Sequence, residues 1–457
     1  MSQLALPKLL KGNSLLQTIV HTSGTNVIIM VFTTITSIIT SRMFGVEGKG
    51  AFSAILFWPT FLIGLVSWGL PTSIIYNLKR EAAEKSAEYL RLSFMVQIPI
   101  SFILGAIAWI YMPSWMADYP PEVIAISRWF TVTSIPVLIL INLLSALSQS
   151  RDRFQVYNGI RLYNPVLKVI VMISLWLLGA MSIGMASFVS IASSVIVVAW
   201  AAYTLRDSLQ FKWFTKAIDR KAAKNLFGYG SRVFGVELLG TLYTQFDKII
   251  ILALLTPRDF GLYSVVFALS RIYNAVQNAI SSVVFPKVTG LPQDQVIRTV
   301  GRAFRLSLII MTIIVVPTMF IGNWLMGVLF GKEFLEASQA FYILAFECII
   351  GGGSWILASA FNALGRPGLV MIRQLIALSV TIGLFFVLTP LWGLNGIAIA
   401  LLLGSIVRML VTVAAMKIAF KVNFSGMFFD KKDITFLVER LNKKRRVTQG
   451  GDGDAGH

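Results

Sequence analysis

The segment GTLYTQFDKIIILALL, Gly240 to Leu255, decides how the chain is to be read. It is apolar enough to lie in a membrane, yet it carries Asp247 and Lys248 side by side. A charge at the centre of a bilayer costs about 2.5–3.5 kcal/mol on insertion scales, so two adjacent charges need a reason. Runs like this one recur along the chain, each of about 20 residues, the length that crosses a hydrocarbon core of about 30 Å. The 457 residues are 56% hydrophobic and only 13% charged. Mean hydropathy is +0.75. A soluble domain carries about a quarter charged residues. The reading is an all-α polytopic membrane protein; a transmembrane barrel, with its alternating ten-residue segments, does not fit.

Length and flanking charge predict about 12 transmembrane helices: 15–41, 51–77, 92–112, 123–148, 154–178, 184–205, 226–254, 261–286, 304–329, 338–363, 369–389 and 394–418. With the N-terminus inside, the inner segments gather 28 Lys and Arg and the outer ones four: Arg42, Lys49, Arg258 and Lys332. This bias places both termini in the cytoplasm. It also gives the net charge of +19 a membrane origin, so no nucleic-acid partner is expected. The N-terminus reads as an uncleaved first span. Cys348 stands alone, so no disulfide within the chain and no thiolate metal site is expected.

The stretch RDSLQFKWFTKAIDRKAAKN, from Arg206, is basic with interleaved aromatics, as suits a segment on an anionic leaflet. It divides the chain into residues 1–205, a linker 206–225, and residues 226–420; an amphipathic and then disordered tail is expected over 421–457. The halves are weakly similar. Gly50-Ala-Phe-Ser53 recurs as Gly261-Leu-Tyr-Ser264, and Arg161 and Arg373 each follow a basic turn at nearly the same offset. Six spans return the chain to the same side, so a parallel repeat follows.

Eight cations fall inside spans: Arg128, Arg161, Lys168, Arg232, Lys248, Arg271, Arg373 and Arg408. Three acids join them: Glu237, Asp247 and Glu347. Asp247 and Arg271 lie at similar distances from the outer ends of their spans, which predicts an ion pair between adjacent helices. The cationic surplus predicts a water-filled cavity that receives an anionic ligand, with arginine preferred for its forked donors. The plainer reading is that several of these side chains reach the headgroups. Polar faces at His21–Asn26 and Asn274–Ser282 line a lumen or bond helix to helix.

Three stretches carry a resemblance: ITSRMFGVEGKGAFSAILFW at the first outer turn, QFDKIIILALLTPRDFGLYSVVFALSRIYNAVQNAISSVVFPKV around spans seven and eight, and ALGRPGLVMIRQLIA after span ten. In their order and spacing they resemble the bacterial polysaccharide flippases of the multidrug/oligosaccharidyl-lipid/polysaccharide exporter superfamily. The resemblance implies two six-helix bundles around a central cleft, working by alternating access. It implies a polyprenyl-diphosphate-linked oligosaccharide as substrate, moved from the inner to the outer leaflet of the bacterial cytoplasmic membrane, with other polysaccharide-assembly proteins as partners. Arg161, Arg232, Arg271, Arg373, Arg408 and Lys168 are the expected substrate-binding residues. Asp247, Glu237 and Glu347 are candidates for coupling to an H⁺ or Na⁺ gradient; no other cofactor, metal site or catalytic residue is expected. A multidrug antiporter would share the fold but want an acidic cavity. A major-facilitator sugar transporter would show a different turn after span two. A membrane polymerase or ligase would need a large outer loop, and the longest clear one is MPSWMADYPPEV.

Overall fold

The computed structural model describes residues 12–80, 85–209, 219–288 and 291–421; for 12–20, 279 and 282–287 it describes the backbone alone. The tail, the extreme N-terminus and the middle of the basic linker lie outside the described residues. All regular structure among the described residues is helical: α1 (Gly12–Val66), α2 (Leu70–Leu78), α3 (Ser86–Trp115), α4 (Pro121–Ser150), α5 (Phe154–Leu177), α6 (Ile183–Thr204), α7 (Arg206–Leu209), α8 (Arg220–Leu254), α9 (Pro257–Arg271), α10 (Asn274–Val288), α11 (Gln293–Leu329), a 3₁₀ segment (Lys332–Ala337), α12 (Ser338–Ala363) and α13 (Pro367–Phe420).

Eight of these helices are long and apolar enough to cross a membrane, so this is a multi-pass membrane protein. Two of the eight continue through a glycine that breaks the helix without ending it. Gly45 in α1 has φ 65° and ψ −169°, and Gly393 in α13 has φ 52° and ψ −128°. Glycine takes these positive-φ values without steric cost. The segment that opened the reading lies in α8, which is long enough to cross but carries Arg232, Glu237, Asp247 and Lys248. The expected span eight is divided between α9 and α10 at Ile272–Tyr273. Side chains that soluble proteins bury stand outside, such as Leu177 at 79% and Trp324 at 64% exposure, as a lipid-facing surface requires.

Packing groups the chain into two compact units. One comprises Met1–Ile272, Gly322–Phe341 and Phe385–Ile397; the other comprises Tyr273–Ile321, Tyr342–Leu384 and Ala398–His457. Within the second unit a core of Val296, Val300, Phe304, Ile356, Phe361 and Met416 joins α11, α12 and α13.

Within the first unit, α1 and α9 cross at two glycines. A β-carbon on Gly50 would overlap the carbonyl oxygen of Pro257, and one on Gly261 would overlap the carbonyl oxygen of Val46. The contact is reciprocal, because Val46 and Pro257 stand at the same offset as Gly50 and Gly261. The repeat read from the sequence is therefore expressed as one self-complementary backbone contact, of the kind a two-fold axis generates. A second close approach sets α2 on α8, where Gly69 (φ 64°) faces the carbonyl of Gly230. Ser73 Oγ donates to the Leu226 carbonyl at 2.7 Å, and the Tyr76 and Tyr229 rings stack at 3.9 Å.

The start of α8 is held by Asp219. Its carboxylate accepts from the backbone N–H of Lys221 (2.9 Å) and Ala222 (3.2 Å) and from Lys85 Nζ (3.1 Å). The Ala222 bond first, then Lys85, lowers the Asp219 pKa below the ordinary 3.8. A lowered acid stabilises the fold above its unfolded pKa and loses that contribution as pH falls through the folded value.

Two outcomes follow. Gly261→Val should separate α1 from α9 and lower the thermal midpoint of purified protein by several degrees, more than Gly240→Val, since Gly240 has open space around it. Asp219→Ala should lower the midpoint modestly at pH 7, and the difference from wild type should shrink as pH drops below 3.8.

A cationic cavity between α1, α4 and α5

Helical spacing brings Arg161, Asn164 and Lys168 to one face of α5. Arg161 and Lys168 are seven residues apart, about 10 Å along the axis at 1.5 Å per residue. Pro165 lies between them inside the helix. Lacking an N–H, it leaves the Arg161 carbonyl out of the helical ladder. Facing this stripe are Thr33, Thr36 and Ser37 of α1 and, beyond the Gly45 break, Lys49 and Ser53. Together with Leu138 and Ile141 of α4 they enclose about 500 Å³.

Three cations and no acid line this cavity. Lys49 was expected in an outer loop. Instead the helix resumes at once after Gly45, and Lys49 is 6% exposed. Its ammonium donates to Ser37 Oγ at 3.0 Å and Thr40 Oγ1 at 2.9 Å. The signal lay in the polar stripe Thr33, Ser37, Thr40; of the three glycines Gly45, Gly48 and Gly50, only Gly45 breaks the helix, too short a break to carry Lys49 into solvent. The Arg161 guanidinium lies over the Tyr157 ring at 5.2 Å. Among the described residues neither Arg161 nor Lys168 has an ion-pair partner or makes a side-chain hydrogen bond.

A second cavity of about 210 Å³ adjoins this one, sharing Leu56, Leu138, Asn164 and Lys168 as wall. Its remaining wall comes from α1, α4 and α6.

The other expected site residues lie elsewhere. Arg232 is an exposed residue of α8. Glu237 accepts from Ser67 Oγ at 3.1 Å and Thr72 Oγ1 at 2.7 Å, fastening the end of α1 and the start of α2 to α8. Asp247 is 4% exposed. It accepts from the Tyr263 hydroxyl and lies 3.8 Å from Lys248 Nζ. The expected pair of Asp247 with Arg271 is not formed. The reason is register. A capping box on Thr256 starts α9 at Pro257, four residues before the expected start of the span. Arg271 is then fourteen residues into α9, while Asp247 is seven from the end of α8, so Tyr263 stands at the depth of Asp247. Arg271 lies instead over the Phe267 ring at 4.5 Å, and Lys248 meets the same ring at 4.8 Å.

In the second unit the remaining charges form a buried network. Glu347 accepts from Ser405 Oγ at 2.6 Å and lies 3.9 Å from Arg408 Nη2. Arg373, 1% exposed, donates from Nη1 to Ser354 Oγ at 3.0 Å and Thr412 Oγ1 at 3.2 Å. Thr412 in turn donates to the Arg408 carbonyl at 2.6 Å, which links the two groups. Gly351 leaves room for them: a β-carbon there would press on Glu347 and Arg408, both at 2.8 Å.

This is the fold of the multidrug/oligosaccharidyl-lipid/polysaccharide exporters. The structure aligns with an inward-facing MATE family transporter of that superfamily at a TM-score of 0.72, with 14% identity, over 86% of this chain and 94% of that one. It aligns with the lipid II flippase MurJ, in an inward closed conformation, at a TM-score of 0.71 and 14% identity, over 92% and 96%. The chain itself belongs to the polysaccharide biosynthesis protein family, whose family model matches residues 38–339. It is 27% identical over 214 residues to the "Probable low-salt glycan biosynthesis flippase Agl15" of Haloferax volcanii, across 46% of this chain and 44% of that protein. It is 26% identical over 176 residues to the "Capsular polysaccharide biosynthesis protein CapF" of Staphylococcus aureus, across 38% and 44%. The matched stretch thus spans less than half the length of these relatives.

The two repeat-related arginines should respond differently to mutation. Arg373→Gln should destabilise the protein by about 2 kcal/mol, the scale of a hydrogen-bonded buried charge, seen as a lower thermal midpoint in detergent. Arg161→Gln, which breaks no protein hydrogen bond, should leave the midpoint unchanged.

Proposed function

We propose that this chain is a flippase rather than an enzyme. In this reading it carries a polyprenyl-diphosphate-linked oligosaccharide from the inner to the outer leaflet of the bacterial cytoplasmic membrane by alternating access, with both termini inside. The observation that carries the reading is the acid-free cavity holding Lys49, Arg161 and Lys168. Cations away from water are costly unless a counter-charge meets them. A diphosphate supplies at least two negative charges in one compact group. At an effective dielectric constant of about 20, opposite charges 4 Å apart attract by about 4 kcal/mol, against about 1 kcal/mol in water. The headgroup enters the cavity and the polyprenyl tail stays among the lipid tails outside. Twelve crossings in two six-span bundles, divided at the basic linker, belong to this reading, as do other polysaccharide-assembly proteins as partners. The relatives named for glycan and capsule biosynthesis support it. Multidrug antiporters share the fold, but a cavity with three cations repels the cationic drugs that class exports.

Return of the empty carrier draws on an H⁺ or Na⁺ gradient. Of the three acids, Asp247 suits this role best. Glu237 accepts from two hydroxyls and Glu347 from Ser405 beside the Arg408 guanidinium, whereas Asp247 accepts from Tyr263 on one oxygen and, among the described residues, its other oxygen makes no hydrogen bond and lies 3.8 Å from Lys248 Nζ.

The test is leaflet sidedness of the lipid-linked oligosaccharide in cells lacking the protein, read with a probe confined to the outer face. The intermediate should accumulate on the inner leaflet and reappear outside when the wild-type chain is restored. Arg161→Gln with Lys168→Gln should restore at least about ten-fold less, since each charge-assisted contact contributes about 1.5–3 kcal/mol. Normal outer exposure without the protein, in cells with no second flippase, refutes the reading.

A further inference from the structure

We infer that the 210 Å³ cavity is a subsite for one neutral sugar ring, set beside the cationic cavity so that phosphate and sugar bind on either side of Lys168. The inference rests on the proposed flippase function. It concerns the wall that α1, α4 and α6 add beyond the residues the two cavities share.

The cavity's chemistry differs from that of its neighbour. Apart from Lys168 on the shared wall, its polar groups are uncharged: Thr60, Ser134, Asn164, Ser190 and Ser194. The Ser134 hydroxyl is buried and has no hydrogen-bond partner. A buried hydroxyl left unpaired costs about 1–3 kcal/mol, so a ligand that pairs it is favoured by that amount. The Asn164 carboxamide donates to Ser194 Oγ at 2.8 Å. Among the described residues it makes no other hydrogen bond, which leaves its oxygen and one N–H for a ligand. Ser190 and Ser194 donate to helical carbonyls, both at 2.9 Å; Ser190 keeps its lone pairs as acceptors and Ser194 keeps the one that Asn164 leaves.

The remaining walls are apolar, with Phe130, Pro59 and Ile191 among them. A ring with hydroxyls on its rim and C–H bonds on its faces matches that mixture. The volume of about 210 Å³ lies below the range of about 300–1,000 Å³ that takes drug-sized ligands, so the cavity suits one ring rather than a chain of them. A sugar attached directly to the diphosphate would sit here while the phosphates face Arg161 and Lys168. The first sugar is then the one this chain selects.

The experiment uses the full chain in lipid nanodiscs and two probes: bare polyprenyl diphosphate, and the same lipid bearing a single hexose. In the wild type the hexose should tighten Kd about ten-fold. Ser134→Ala with Ser190→Ala should reduce that ratio to about two, and Ser134→Leu, which fills the space, should bring it to one. The affinity for the bare lipid should stay unchanged in each, which also shows that the variants are folded. A wild-type ratio near one, or a ratio that neither variant moves, overturns the subsite and leaves the cationic cavity standing. Bare lipid that fails to bind the wild type, or binds it equally after Arg161→Gln, overturns the flippase reading and the subsite with it.

Discussion

An ionised group in low dielectric must be met by something polar, and this requirement organises the molecule. The chain meets it in three ways. Hydroxyls and neighbouring charges meet Glu237, Glu347 and the Nη1 of Arg373 at the junctions of helices. Aromatic faces carry Lys248 and Arg271 together on Phe267, and Arg128 on Trp109. Arg161, which has the Tyr157 ring beside it but no hydrogen bond among the described residues, and Lys168 face a cavity. Only the third arrangement leaves a free-energy demand that a soluble ligand or a headgroup can fill. Ion pairs and aromatic contacts hold helices at fixed separations, while the cavity leaves room beside its cations.

The same economy of contact appears in the backbone. Where α1 and α9 cross, the two glycines remove side chains from both partners, so carbonyl oxygens come directly against the opposing helix. Such close approach is how membrane helices gain packing energy when apolar burial offers no net drive. The reciprocity of Val46 with Gly261 and Pro257 with Gly50 means that one local sequence pattern, used twice, supplies both sides of the contact.

The long apolar runs, the cationic surplus and the repeat were legible from composition and spacing, because each is a property of many residues at once. Register was not. The misplaced partner of Asp247 came from starting a helix at Gly261, when Thr256 and Asp259 together form a capping box that starts it one turn earlier. The Thr-Pro-Arg-Asp stretch contained that signal. Lys49 was misplaced because a basic residue beside glycines reads as a loop, whereas here a single positive-φ glycine turns the chain and the helix resumes. The small cavity had no signature at all. Its serines are spread over α4 and α6, and in a membrane helix a serine bonded to its own backbone looks the same whether or not it faces a void.

Arg161 and Arg373 make the deeper point about a duplicated fold. Sequence gives them equivalent places, and equivalence alone would assign them one task. Their surroundings assign two. Arg373 is enclosed, and its Nη1 already donates to the hydroxyls of Ser354 and Thr412, so a ligand there would have to displace bonds already made. Arg161 has an aromatic ring beneath it and space before it. A cation bonded to neighbouring helices contributes rigidity and one that faces a cavity contributes affinity, and a side chain cannot supply both at full strength. The two copies therefore differ: in one the arginine closes a core, and in the other it faces a cavity.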